Sequence, residues 1–309
     1  MSDSIGPLKG LAARIEARRA EFDSCVESLC DPLTANGITA TLHFHHVKFN
    51  DNGLPMVEEL VRSMVRHLVT YALPEDERAV GGHPEATENF LAAREELRTY
   101  LLNADGGTTT GEAGEILLYL LIELLLDAPQ LVSKIGLKPN NRTEVPGVDG
   151  IHARFDDTAD RLEIYMGEAK IHANVRTAIK EAIKRVAELE PSRAKNELRI
   201  ATKNFKFADA VLKAHLATYI KRGTTNPKTR INHAVLIGFD FARYKAEAAN
   251  DFATIREDMR KAYVDSVPHL VTTFEKHAKD VQMPELRFQL FFLPFPSVDD
   301  MREMFRKAL

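Results

Sequence analysis

The stretch from Pro146 to His172, P-G-V-D-G-I-H-A-R-F-D-D-T-A-D-R-L-E-I-Y-M-G-E-A-K-I-H, decides the fold. Its composition predicts two strands, Ile151 to Phe155 and Arg161 to Ile171, because both segments are rich in β-branched, aromatic and other apolar residues. The residues between them are three aspartates, a threonine and an alanine, which are typical of a turn. The stretch therefore predicts a hairpin of two strands.

One face of the second strand changes from apolar to charged along its length. Alternate residues of a strand share a face, and this face carries in order Leu162, Ile164, Met166, Glu168, Lys170 and His172. We expect its apolar end to be packed and its charged end to open onto a polar site. Asp149 precedes the first strand, so the hairpin is expected to bring Asp149, Glu168 and Lys170 to one end of a sheet.

An acid, a gap and then Glu-x-Lys at a strand end resemble the active-site signature of the PD-(D/E)xK nucleases. The position of the "PD" pair is taken by Val148-Asp149, and the proline is displaced to Pro146. The three-residue signature is short, and its context strengthens it: strand, turn and strand, preceded by a helix that carries glutamates.

That preceding helix is predicted from Glu112 to Asp127, E-A-G-E-I-L-L-Y-L-L-I-E-L-L-L-D. It is apolar nearly all round, which is typical of a buried helix. A carboxylate in such a helix needs a partner or a function, because an unpaired buried charge is costly. Glu112 lies in the first turn, where the helix dipole favours an acid. For Glu115, one turn deeper, we favour a role in the site.

The chemistry expected of this constellation is metal-assisted hydrolysis of a phosphodiester. The carboxylates of Asp149 and Glu168 are suited to Mg²⁺, which prefers oxygen ligands, and the backbone carbonyl of Ala169 is a further candidate ligand. Lys170 is expected to orient or deprotonate the attacking water, or to stabilise charge on the phosphate. The alternative is a structural ion pair of Lys170 with Asp149 or Glu168.

Composition restricts the class of protein. The chain has 309 residues and a net charge of -4, which argues against a protein that coats nucleic acid by bulk charge. Cys25 and Cys30 are its two cysteines, and their spacing on an expected helix disfavours a disulfide. The first residues lack the apolar segment of a signal peptide, and no apolar run is long enough to span a bilayer. We expect a cytoplasmic protein without a membrane partner.

The predicted fold class is α/β, with a PD-(D/E)xK nuclease-like core in which helices flank a mixed central sheet. Residues 1–105 are expected to form an N-terminal α/β extension packed on the core, and residues 106–309 the nuclease-like domain. Further strands are predicted at Ile38–Phe49, Ile231–Phe241 and Leu286–Leu293. Further helices are predicted at Leu11–Leu29, Leu54–Leu73, Ala86–Leu102, Val175–Leu189, Glu197–Arg222 and Arg243–Lys279, with a last helix capped by Ser297 or Asp299.

Several basic side chains are candidates for contacting a nucleic-acid backbone. Lys134, Lys138 and Arg142 lie between the buried helix and Asp149, and a solvated loop explains them equally well. The helix after the hairpin carries Arg176, Lys180, Lys184 and Arg185 among glutamates, which slightly favours an ordinary solvated face. For His152 and His172, we favour solvated strand-end positions over phosphate contacts.

Taken together, the order of motifs resembles the HamA family, the nuclease-like effector subunits of Hachiman antiphage defence. The motifs are G-E-A-G-E-I-L-L-Y-L-L, K-x-N-N, V-P-G-V-D-G-I-H, L-E-I-Y-M-G-E-A-K and the late L-F-F-L-P-F-P. The resemblance implies metal-dependent DNA cleavage under the control of a partner, the superfamily 2 helicase HamB. It assigns catalytic roles to Asp149, Glu168 and Lys170, and a further one to Glu115. Two alternatives stay open, a catalytically silent DNA-binding or assembly subunit and a stand-alone restriction-type endonuclease.

Overall fold

Eight strands form one mixed sheet in the computed structural model, which describes residues 19–102, 111–133, 147–189, 191–201, 203, 205–206, 214, 217, 229–244, 252–281 and 286–309. The strands are β1 (Val26–Ser28), β2 (Leu33–Thr34), β3 (Thr39–Val47), β4 (Gln130–Ser133), β5 (Gly150–Asp156), β6 (Arg161–His172), β7 (Thr229–Asp240) and β8 (Arg287–Phe295).

The strand order is β1-β3-β8-β7-β6-β5-β4, and β2 pairs with β3 beside this path. The four central strands β3, β8, β7 and β6 are parallel. The strands toward the two sides, β1, β2, β5 and β4, pair antiparallel to their neighbours. The predicted fold class is confirmed: this is a mixed α/β sheet flanked by helices, consistent with a nuclease-like core.

The helices pack on both faces of this sheet. They are α1 (residues 19–25), α2 (Val57–Arg66), α3 (Leu68–Ala72), α4 (His83–Leu102), α5 (Glu112–Leu126), α6 (Val175–Glu188), α7 (Pro191–Ala201), α8 (Phe252–Asp280) and α9 (Val298–Ala308). Two short 3₁₀ turns, Glu75–Glu77 and Ala242–Tyr244, complete the described elements.

Helix α5 lies unusually close to β6. A Cβ built on Gly114 would be 3.1 Å from Ile171 Cδ1 and 3.3 Å from the Cβ of Ala169, so the glycine allows this approach. A Cβ on Gly167 would likewise lie 3.2 Å from Leu118. The odd-numbered residues of β6 therefore face α5, which is buried almost throughout as the sequence predicts.

The even-numbered residues of β6 face the opposite layer, formed by α6 and α7. Leu162, Ile164 and Met166 belong to a hydrophobic cluster with Ala194 and Leu198 of α7. At the other end of the strand, His172 Nε2 lies 2.8 Å from Glu181 Oε2 on α6. The predicted face, apolar at one end and charged at the other, is confirmed.

Most predicted elements are present close to their expected bounds. The hairpin, α5, α6 and the long strands β3, β7 and β8 are confirmed, and Ser297 Oγ accepts a hydrogen bond from Asp300 N at the start of α9. The strand predicted at Leu286–Leu293 is longer than expected at its end, because β8 continues to Phe295 and Pro294 is in register with Phe239.

Other predictions were wrong at helix ends. The predicted helix Leu11–Leu29 includes β1, whose Val26 pairs with Val47, so long-range strand pairing overrides the helical pattern there. The helix expected at Leu54–Leu73 is divided at His67, whose Nδ1 lies 2.7 Å from the Ser63 carbonyl. That ring competes for the carbonyl to which the backbone N–H of residue 67 would bond in a regular helix.

Some predictions lie outside the described residues or remain as predictions. Residues 103–110 are outside them, as are Lys134, Lys138 and Arg142 and most of the second half of the helix predicted at Glu197–Arg222. The division at residue 105 stays a prediction, although β3 hydrogen-bonds to β8 within one sheet. None of the described helices has the length and apolar character required to cross a membrane.

The buried histidine His152 should make the fold sensitive to acid. Its Nδ1 lies 2.9 Å from the Ala128 carbonyl, and burial lowers its pKa from 6.5 to about 3. Below pH 6.5 the unfolded chain therefore binds a proton at this residue that the folded chain does not. The free energy of unfolding is expected to fall as the pH falls from 6.5 toward 3, by up to about 1.4 kcal/mol per pH unit from this group.

His152→Asn retains a donor for the Ala128 carbonyl and removes the titration, so the acid slope should become shallower. Urea unfolding between pH 5 and 8 measures it, with the exposed His83→Asn as the matched control. The same acid slope in His152→Asn and in the unchanged protein would contradict this assignment.

Candidate active site

The hairpin places two acids opposite one another at its open end. Gly150 is in register with Gly167, so Asp149 lies beside Glu168 on the neighbouring strand. The backbone N of Asp149 donates to Gly167 O at 2.8 Å, and Ala169 N donates to Asp149 Oδ2 at 2.8 Å. Asp149 is therefore fixed against β6 on both sides of Glu168.

Both carboxylates are buried, and this raises the free energy of their charged forms. Asp149 is 7% exposed and Glu168 is 4% exposed. Burial, followed by the charge of Asp149, raises the pKa of Glu168 to about 7, and the cations Lys170 and Arg185 partly oppose that shift. Positive charge near Glu168 therefore stabilises its ionised form.

Lys170 supplies part of that charge. Its Nζ lies 2.6 Å from Glu168 Oε1, and its side chain is 28% exposed, so the ammonium group stands between the buried acid and solvent. The structure brings together Asp149, Glu168 and Lys170, the three residues that the sequence pattern singled out.

Arg185 is a site residue that the sequence analysis placed only among the basic residues of a helix. From α6 its Nε lies 3.8 Å from Glu168 Oε2, and its NH2 donates to the Gly147 carbonyl at 3.2 Å. It therefore links the acid of β6 to the segment that leads into Asp149. Helical spacing does not distinguish it from Lys184, which is 74% exposed and points away.

The Ala169 carbonyl lies at the edge where the acids meet. One residue's N–H and C=O point to the same side of a strand, and Ala169 N–H points toward Asp149. Strand β5 begins only at Gly150, so the pairing of the hairpin ends beside this carbonyl. Its orientation suits the ligand role expected of it.

Glu115 occupies a different environment. It lies in the first turn of α5, on the side of the sheet that Gly167 and Ala169 face, and is 5% exposed. Its Oε2 accepts a hydrogen bond from the Tyr71 hydroxyl at 3.2 Å. Within the described ranges, no three histidine, cysteine or acidic side chains are grouped as a metal site, and the role expected of Glu115 stays a prediction.

Comparison with known protein families identifies the chain. A family model described as HamA matches residues 21–309, nearly the whole sequence. The chain belongs to the HamA family. That membership assigns it a role in antiphage defence, as the order of motifs predicted. A comparison with curated proteins found no match.

The acids of this HamA-family site fit a hard divalent cation. Mg²⁺ is commonly held by one or two carboxylates and retains several waters, so it does not require a cage of protein ligands. Asp149 and Glu168 are two such carboxylates, and their mutual repulsion would be relieved by a cation between them. Their close partners Lys170 and Arg185 would then share Glu168 with the metal.

Other candidate contacts in this HamA-family chain have different positions from those expected. His152 is 1% exposed and lies against Ala128 in the interior, so its solvated position was wrong. His172 is half-buried beside Glu181. Lys206 falls within the helix predicted at Glu197–Arg222, yet the residue is 6% exposed and its Nζ donates to Gln130 Oε1 at 2.7 Å.

A double-mutant cycle should show that Arg185 acts through Glu168. We expect Arg185→Ala to lower the free energy of unfolding by roughly 1–3 kcal/mol, because a buried carboxylate loses a charged partner. In a Glu168→Gln background, where that charge is absent, the loss should fall by at least roughly 0.5 kcal/mol, the usual lower limit of a resolved coupling. Chemical denaturation of all four proteins measures the coupling.

Lys184→Ala is the matched control, since Lys184 is adjacent on α6 and exposed. Equal losses for Arg185→Ala in both backgrounds would show that Arg185 stabilises the protein without its contact to Glu168.

Proposed function

We propose that the chain is a metal-dependent DNA nuclease, of PD-(D/E)xK type, that acts as the effector of an antiphage defence complex. The observation that carries this proposal is the position of two buried carboxylates, Asp149 and Glu168, beside Lys170 at one strand end. A purely structural strand end has little reason to bury two neighbouring acids, because their repulsion and desolvation both oppose folding.

Asp149, Glu168 and the Ala169 carbonyl are the groups that would hold Mg²⁺. When bound, the ion supplies a water of lowered pKa and neutralises charge on the scissile phosphate. The protein's own part is to fix the two acids, which the β5–β6 hydrogen bonds do through Asp149. Arg185 positions Glu168 from the opposite layer.

Lys170 has the role closest to the substrate. Its Nζ contacts Glu168 at 2.6 Å while more than a quarter of the side chain remains exposed. From that position it would orient the attacking water, or stabilise the negative charge that develops on the phosphate.

Control by a partner is part of the proposal. A chain of net charge -4 has little general attraction for DNA, and tight binding needs many phosphate contacts. We infer that the partner is the superfamily 2 helicase HamB and that it delivers DNA to the site. The outer side of α6 and helix α9 are exposed and are the surfaces we propose for such contacts. Strand β8, which precedes α9, lies inside the sheet between β3 and β7 and is not a candidate surface.

One observation favours the alternative of a catalytically silent subunit. The ion pair of Lys170 with Glu168, at 2.6 Å, closes the strand end as a purely structural contact would. The silent-subunit and catalytic interpretations predict different stabilities for a variant of this site. If the pair is structural, Glu168→Gln should lower the melting temperature, because it breaks the ion pair that closes the strand end. If the site is catalytic, Glu168→Gln should preserve or raise stability, because it removes the repulsion from Asp149.

Plasmid cleavage tests the catalytic assignment. With Mg²⁺ and the helicase partner, Glu168→Gln and Lys170→Ala are expected to reduce cleavage by at least roughly a hundredfold, the usual effect of losing a proton-transfer group. Cleavage should also stop with EDTA, and Asp149→Asn should weaken Mg²⁺ binding in calorimetry. The exposed Lys276→Ala is the control for loss of one lysine. Folded variants that cut as fast as the unchanged protein would favour the silent subunit.

Dependence on the partner gives a separate prediction. At physiological salt the purified chain alone is expected to bind DNA weakly and to cut it slowly, and the complex should cut only when the helicase engages DNA and ATP. Gel-shift and nicking assays of the chain, the complex and the complex without ATP measure this. Rapid degradation of DNA by the chain alone would favour a stand-alone restriction-type endonuclease.

A further inference from the structure

A polar cavity lies at the opposite end of the sheet from Asp149 and Glu168. Its volume is about 350 Å³. Thr39, Arg161, Arg230 and Arg287 line it, and each is the first or second residue of its strand. Because β3, β6, β7 and β8 are parallel, their first residues gather at one end of the sheet. Glu168 lies near the other end of β6.

Positive charge exceeds negative charge in this cavity. Four arginines and two carboxylates line it, an excess of two positive charges. The charged lining residues are Arg154, Arg161, Arg230, Arg287, Asp156 and Glu163.

The two carboxylates are already engaged within the protein. Glu163 Oε1 lies 2.6 Å from Arg161 Nε and 3.5 Å from Arg230, and its Oε2 accepts from Asn232 at 2.6 Å. Asp156 Oδ1 accepts two backbone N–H groups of the hairpin turn, each at 3.1 Å. The acids are therefore largely satisfied by Arg161, Asn232 and the turn.

The remaining arginines have unused donors. The Arg287 guanidinium makes no hydrogen bond or ion pair with any residue of the described part of the chain. Arg154 donates to the Leu126 carbonyl at 3.2 Å, but its Nε is buried without a hydrogen-bond partner. Burial, together with the charges of Arg161 and Arg287, also lowers the pKa of Arg230. Unmet donors and mutual repulsion both indicate that the cavity is built for an anion.

We propose that this cavity binds a phosphate monoester of mononucleotide size. A phosphate monoester carries about -1.5 to -2 charges at neutral pH, which matches the excess of two positive charges. Guanidinium groups pair with phosphate oxygens through two parallel hydrogen bonds. The volume falls within the usual range for small-ligand sites. The almost fully buried Tyr165 and Phe288 form part of the cavity wall.

This site is separate from the candidate active site. Its residues on β6, Arg161, Glu163 and Tyr165, have odd numbers and share the face that packs against α5, whereas Glu168 and Lys170 face α6. The phosphate could come from a free mononucleotide or from the 5′ end of an oligonucleotide. The small volume favours the free mononucleotide.

Calorimetry and thermal unfolding of the full chain test the proposal. The ligands are inorganic phosphate, a deoxynucleoside 5′-monophosphate, the matching nucleoside and a short 5′-phosphorylated oligonucleotide. We expect the monophosphate to bind and raise the melting temperature, phosphate to compete with it, and the nucleoside to have no effect. Arg287→Gln should weaken monophosphate binding roughly ten- to hundredfold, the effect of losing charge-assisted hydrogen bonds.

Two controls separate binding from folding. Without ligand, Arg287→Gln should melt at the same temperature as the unchanged protein or higher, because it relieves repulsion with Arg230. The exposed Arg243→Gln, and Glu168→Gln at the active site, should bind the monophosphate normally. The proposal is overturned if the unchanged chain binds neither phosphate nor monophosphate, if Arg287→Gln binds as tightly as Arg243→Gln, or if only the oligonucleotide binds.

Discussion

The proximity of Asp149 and Glu168 is the constraint on which the rest of the site depends. It follows from backbone register alone, because Gly150 opposite Gly167 sets the two acids side by side and the Asp149 carboxylate then bonds to Ala169 N. Burial and mutual repulsion make this arrangement unfavourable by itself, as the raised pKa of Glu168 indicates. Lys170 on the same strand and Arg185 from α6 compensate it. Lys170 and Arg185 thus stabilise the negative charge that the hairpin concentrates at its open end.

Local patterns in the sequence were sufficient to predict the hairpin, the buried helix α5 and the three residues of the strand end. Each depends on residues close in the chain: a period of two along β6, an apolar run along α5, and turn-forming aspartates. The same patterns missed β1 and the four-residue strand β4, which exist through pairing with distant strands. They also missed Arg185, since which arginine of α6 faces Glu168 is decided by how the helix docks.

For Glu115, the sequence predicted burial but not the face of the sheet beside which its helix packs. The sequence correctly marked it as a carboxylate in an apolar helix, and it is buried in the structure. The close approach at Gly114 sets α5 against the odd-numbered face of β6, whereas Glu168 and Lys170 lie on the even-numbered face. The position of a residue along a helix predicts which part of the sheet its side chain lies beside. Which face of the sheet the helix covers is seen only in the packed structure. Its observed contact is the Tyr71 hydroxyl.

Strand β6 contributes to the candidate active site and to the arginine-lined cavity, and its pleat directs the two sets of side chains to opposite faces of the sheet. At its start, Arg161 and Glu163 point toward the α5 layer, and near its end Glu168 and Lys170 point toward the α6 layer. Glu168 is five positions beyond Glu163 along the strand, about 16 Å at the usual rise. At that distance, with no shared partner, substitutions at the two regions should act almost independently. We expect any coupling between them to require a displacement of β6. That displacement is opposed by the hydrogen bonds of β6 to β5 on one side and β7 on the other.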